Sequence, residues 1–260
     1  MALSDFTAFD FSGEGRLWKV YKKGSGPGVL VMSEMPGIAP AMAAFAERVA
    51  AQGYTVWMPH LFGEDGRSGT PGYVASTLAQ ACIRSDFAAL AAHRSSPVCS
   101  TLRAMCRALH AEAGGKGVGA VGMCFTGNFA LALMLEPSML APVLSQPSLP
   151  LLAFSHDRKA ALHLAPEELL VCKQRAAHGD KILALRFTED PFVPGERFET
   201  LRREFGEACE MIEIDSSPGN KFGIPKGAHS VLTLHLVDEP GHPTRAAMDR
   251  MFAFFAGRLR

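Results

Sequence analysis

The sequence predicts an α/β protein in which helices cover both faces of a mostly parallel central sheet. Three observations support this. Short apolar runs alternate with helical segments along the chain, the pattern that parallel strands and crossover helices produce. Some runs, such as Gly28-Val-Leu-Val-Met-Ser33, are apolar almost throughout, as expected of strands buried on both faces. The 260 residues contain no repeat, low-complexity tract or long linker, and are predicted to form one domain over residues 1–260.

The elements follow in order. Residues 16–22 alternate apolar and polar as a half-exposed strand does, and residues 28–33 form a buried strand. A helix over residues 41–51 ends at Gly53, a plausible residue for a left-handed helix stop. Residues 54–58 are the next strand, followed by a Gly- and Pro-rich loop over 59–73. Helices are predicted over 78–92 and 100–113, a strand over 118–122, and a helix over 125–136. Strands at 140–144 and 182–187 flank a helix at 166–177. A helix at 197–209, a strand at 211–215 and a closing helix at 244–258 complete the chain.

Bulk properties exclude several functions. Lys plus Arg and Asp plus Glu number 26 each, so the formal net charge is zero. With no basic run, there is no electrostatic footprint for nucleic acid or for an anionic membrane. The start, Met1-Ala-Leu-Ser-Asp-Phe6, has no apolar core of a secretory signal. No stretch reaches the roughly 18 apolar residues of a membrane span. A cytoplasmic protein without nucleic-acid or membrane partners is expected. The six cysteines show no CxxC and no CxxC…HxxxH spacing, which argues against structural zinc and against a thioredoxin-like pair. In a reducing compartment they are expected as free thiols.

One of them stands apart. Cys124 lies in Gly119-Ala-Val-Gly-Met-Cys-Phe-Thr-Gly127, where a strand turns into a helix. Such a turn exposes a nucleophile beside the unpaired N–H groups of a helix start, which favour a thiolate and can hold an oxyanion. The alternative is a buried helical thiol. In an α/β-hydrolase fold, an acid and then a histidine follow the nucleophile, each on a loop after a strand. Asp190 follows the strand at 182–187 directly, although Asp-Pro also serves as a plain turn. His229 lies in the loop after the strand at 211–215, where His235 and His242 compete for the role.

With these residues in place, the sequence resembles the dienelactone hydrolases, cysteine-dependent α/β-hydrolases. Four segments carry the likeness: Glu34-Met-Pro-Gly37, Gly122-Met-Cys-Phe-Thr-Gly127, Asp190-Pro-Phe-Val-Pro194 and Ala228-His-Ser230. The resemblance implies Cys124 as nucleophile, His229 as general base and then acid, and Asp190 as its orienter. It also implies that Glu34 is an extra carboxylate that takes the thiol proton when substrate binds. The backbone N–H groups of Met35 and Phe125 match the oxyanion-hole donors. The implied activity is cleavage of a small carboxylic ester or lactone through a thioester, with no metal or organic cofactor, by a monomer or small homo-oligomer.

Three departures bear on the substrate more than on the mechanism. Thr126 stands where the family usually has glycine. Thr233 stands four residues past the histidine, where dienelactone hydrolases proper place a substrate-binding arginine. The segment 234–243 is longer than the family's usual approach to the final helix. Arg84 is a candidate for binding a substrate carboxylate, with a solvated surface arginine as the alternative. An ester or thioester hydrolase with an unrelated substrate is the nearest rival. A redox sensor or ligand binder would need an exposed, activated thiol but no ordered triad.

Overall fold

The computed structural model describes residues 3–13, 15–83, 97–148 and 155–260. Its strands are β1 (Thr7–Gly13), β2 (Arg16–Lys23), β3 (Gly28–Met32), β4 (Thr55–Pro59), β5 (Val118–Met123), β6 (Met139–Ser145), β7 (Ile182–Phe187) and β8 (Cys209–Ile214). They form one sheet in the order β1-β2-β4-β3-β5-β6-β7-β8. β1 pairs antiparallel with β2, and β2 with β4. From β4 to β8 every pairing is parallel.

Burial explains why the central strands are apolar at successive positions. β3, β5 and β7 are buried along their whole length. Successive side chains of β3 enter opposite cores, because strand residues alternate between faces. Val29 and Val31 join the cluster that includes Phe45 and Val49 of α1 (Pro40–Ala51) and Met251 and Phe255 of the closing helix Pro243–Leu259. Leu30 and Met32 join the opposite cluster, with Leu102 and Met105 of the helix Pro97–Ala113 and Phe198 of the helix Gly195–Phe205. The site therefore rests on a sheet fixed from both sides.

Several boundaries differ from the prediction, each for a local reason. β1 is not among the predicted strands. All its residues are exposed or half-buried, so it carries little apolar signal. Edge-on contacts of Phe9 and Phe11 with Trp57, at 4.8 and 6.1 Å between ring centroids, attach it. The helix predicted from residue 78 begins at Pro71 and is described to Ile83; its continuation over 84–92, with Arg84, lies outside the described residues. The helix predicted over 197–209 stops at Phe205, where Gly206 takes φ 51°, and Cys209 opens β8 instead.

The predicted helix over 125–136 is one short α-helix, Gly127–Ala132, between single 3₁₀ turns at Cys124–Thr126 and Leu133–Leu135. A short helix at His156–Ala160, capped by the Ser155 side chain, has no counterpart in the prediction. Among the described residues, no helix is long and apolar enough to cross a membrane.

Candidate active site

The parallel strands deliver the site residues at their carboxyl ends, where loops of open α/β sheets carry function. Ser33-Glu34-Met35 follows β3, Cys124 follows β5, Gln146-Pro147-Ser148 follows β6, and Asp190 follows β7. The loop after β8 carries His229.

Cys124 has φ 57°, a left-handed conformation that a non-glycine residue adopts only when its surroundings hold it there. The holding groups can be named. A Cβ on Gly122 would sit 2.2 Å from the Thr126 carbonyl oxygen, so only glycine allows the turn to close this tightly. Thr126, the departure from the family pattern, supplies the tie. Its hydroxyl accepts from Met123 N at 2.9 Å and lies 3.1 and 3.2 Å from the Met32 and Ser33 carbonyls. A glycine there would remove this side-chain tie between the end of β3 and the cysteine turn. In Glu34-Met-Pro-Gly37, Gly37 at φ 132° approaches the Phe62 carbonyl so closely that a Cβ would meet it at 2.4 Å.

His229 and Asp190 meet across 39 residues, with Nδ1 of the ring 2.6 Å from Oδ2 of the carboxylate. Asp190 serves both readings of its sequence. Its Oδ1 accepts from Phe192 N at 2.9 Å, which makes the Asp-Pro turn, while Oδ2 orients the histidine. His229 is also hydrogen-bonded to the Cys124 side chain. Burial alone disfavours the imidazolium, but the neighbouring Cys124 side chain and the bonds to Asp190 and Cys124 outweigh it, so the His229 pKa is raised well above the ordinary histidine value.

The two competing histidines have other partners. His235 Nδ1 faces the N–H groups of His229 and Ser230 at 3.4 and 3.2 Å. It accepts from them as a neutral ring, and burial, reinforced by the nearby His229 charge, lowers its pKa and keeps it neutral. His242 caps the closing helix through Thr244.

Two features were not read from the sequence. The first is Ser148, whose Oγ lies 3.2 Å from Cys124 Sγ and whose N–H donates to the Cys124 carbonyl at 3.0 Å. Its sequence signal is the polar group Ser145-Gln146…Ser148 at the end of an apolar strand beside the cysteine strand. The second is the surroundings of Glu34, which is 5 % exposed. Its Oε2 accepts from Ser230 Oγ at 2.7 Å and Gln146 Nε2 at 3.2 Å, and its Oε1 accepts from the Thr233 hydroxyl. Among the described residues no hydrogen bond joins Glu34 to Cys124; the thiol's partners are His229 and Ser148. Thr233, at the family's arginine position, thus holds Glu34.

Thiol environments differ sharply. Cys124 is half-buried, whereas Cys99, Cys106, Cys172 and Cys209 are buried. Burial raises the Cys106 pKa and pushes those of Cys172 and Cys209 up to about 12. Iodoacetamide at neutral pH is expected to alkylate Cys124 well before these four, as peptide mass mapping will show. Comparable labelling of Cys172 would contradict the site.

With eight strands in this order and a strained cysteine turn after β5, the molecule is an α/β hydrolase. The chain belongs to the dienelactone hydrolase family, whose profile matches residues 16–256. No curated protein matches the chain. Solved structures share the fold at low identity. The dienelactone hydrolase-like promiscuous phosphotriesterase P91 from metagenomic libraries is 18 % identical at a TM-score of 0.65, covering 98 % of both chains. The dienelactone hydrolase of Anabaena variabilis is 18 % identical at 0.62, also covering 98 % of both. A Klebsiella pneumoniae protein, provisionally named a dienelactone hydrolase, is 17 % identical at 0.65, covering 96 % of this chain and 98 % of its own.

Proposed function

We propose that the protein hydrolyses a carboxylic ester or lactone through a thioester on Cys124. The observation that carries this reading is the continuous series from Cys124 through His229 to Asp190, with Nδ1 of His229 given to the carboxylate and Nε2 left for the thiol. A histidine that favours its charged form beside a thiol favours the thiolate–imidazolium pair.

The sulfur attacks the carbonyl carbon, forming the S–C bond. The oxyanion is received by the N–H groups of Met35 and Phe125, which follow the ends of β3 and β5, paired through Met32 and Gly122. As the tetrahedral adduct collapses, the C–O bond to the leaving group breaks and that oxygen takes the His229 proton. Neutral His229 then accepts a proton from water, which attacks the thioester and releases the acid. Thiolate and imidazolium are restored, and ester plus water has become acid plus alcohol. No step calls on a metal or organic cofactor.

A chromogenic short-chain ester tests this. Product should appear in an initial burst equal to the enzyme concentration, and Cys124→Ala should abolish it. A protein that only senses oxidants or binds a ligand would give no turnover beyond one equivalent.

In this reading Glu34 positions the loop that carries His229. Glu34→Gln turns an amide N–H₂ toward groups that are themselves donors, so turnover should fall about tenfold or more through lost loop order. The rate of Cys124 alkylation near neutral pH should stay close to that of the wild type. A rate that fell with turnover would make Glu34 the proton acceptor instead.

A further inference from the structure

A cleft of about 390 Å³ lies beside the site, walled by Met35, Pro36, Met42, Val74 and Leu234, with Glu34 at one side. Its surface is mainly apolar, and none of its described lining residues is a lysine or arginine. Leu234 at its rim is 72 % exposed, a large apolar side chain in water with no packing role in the core. Met35 ties the cleft to the chemistry, because its N–H is the proposed oxyanion donor. On the histidine side, Phe192, 47 % exposed, sets its ring edge-on to His229 at 5.5 Å.

These placements divide the substrate. The leaving oxygen must face His229, the group that protonates it, so the leaving group lies on the Phe192 side. The acyl substituent on the other side of the carbonyl is then directed to the cleft behind Met35. We propose that this cleft is an acyl subsite selecting uncharged, apolar acyl chains and rejecting acyl chains that end in a carboxylate. The inference rests on the ester-hydrolase reading above. Apolar walls reward each methylene removed from water, while an acyl carboxylate would lose its hydration beside Glu34 with no cation among the described lining residues to replace it.

The test uses 4-nitrophenyl esters, so that the leaving group stays constant. From acetate to butyrate to hexanoate, kcat/KM should rise by about fourfold per methylene, the factor that burial of one CH₂ gives. The 4-nitrophenyl hemisuccinate, similar in length to the butyrate but ending in a carboxylate, should be slower by about tenfold or more.

Two variants locate the effect. Val74→Phe should lower the hexanoate-to-acetate ratio by shortening the cleft. Leu234→Arg, at an exposed position that does not burden the fold, should raise the hemisuccinate-to-butyrate ratio about tenfold. A flat chain-length series, or a wild-type preference for the hemisuccinate, would overturn the subsite while a Cys124-dependent burst left the hydrolase reading standing. Absence of any Cys124-dependent turnover with every ester would overturn both.

Discussion

His229→Ala should lower kcat/KM for the best ester by about 10²–10⁴-fold, the range lost when a general acid–base is removed. Asp190→Asn should cost a comparable amount. Its side chain meets His229 Nδ1 at 2.6 Å, and an amide there no longer favours the imidazolium or fixes the tautomer. The double variant should be little worse than either single one, because the residues act as a unit.

Alkylation of Cys124 gives a readout independent of turnover. The raised His229 pKa means that the imidazolium persists through neutrality, and its charge stabilises the thiolate. In His229→Ala, labelling of Cys124 near neutral pH should be markedly slower than in the wild type. Equal rates would remove the histidine from the site. His235→Ala, by contrast, removes an acceptor from the His229 loop and should lower turnover far less than His229→Ala.

Gly122→Ala should be nearly as damaging, through geometry instead of chemistry. The added methyl would lie 2.2 Å from the Thr126 carbonyl oxygen and 2.7 Å from its carbon, so backbone must move. Overpacking of this kind costs about 1–3 kcal/mol, measurable as a lowered urea midpoint. The same shift displaces Cys124 two residues on, and a displacement of about 1 Å at a reacting group costs about 10²-fold in rate. A variant that unfolds earlier but keeps full turnover would show that the turn has slack.

Fold and site were legible in the sequence to different depths. Buried strands such as residues 182–187, apolar at all but Arg186, and helices such as 166–177 carry a strong local pattern, and the structure returns them with the same bounds. β1 was invisible because an exposed edge strand has no face to bury. The helix stop at Phe205 depended on one glycine's φ, which the apolar period overrode.

In the site, Cys124, Asp190 and His229 could be ordered because each follows a strand, and the structure brings the three together. Ser148 and Gln146 could not be assigned, since their importance comes from which strand ends lie side by side. Thr126 and Thr233 were legible only as departures. The first fastens the turn to β3, and the second occupies Glu34.

The clamp on Glu34 spans an unusual length of chain. Its partners Gln146, Ser230 and Thr233 lie 112, 196 and 199 residues downstream. Contacts this distant in sequence form late, after the entropy of closing the intervening chain has been overcome. During synthesis the cysteine emerges long before the histidine that would ionise it, and the loop bearing that histidine docks only when β8 and its sequel have joined the sheet. An incomplete chain thus holds an ordinary thiol, slow toward stray electrophiles and oxidants. In the proposed reading, then, the reactivity of Cys124 follows completion of the fold.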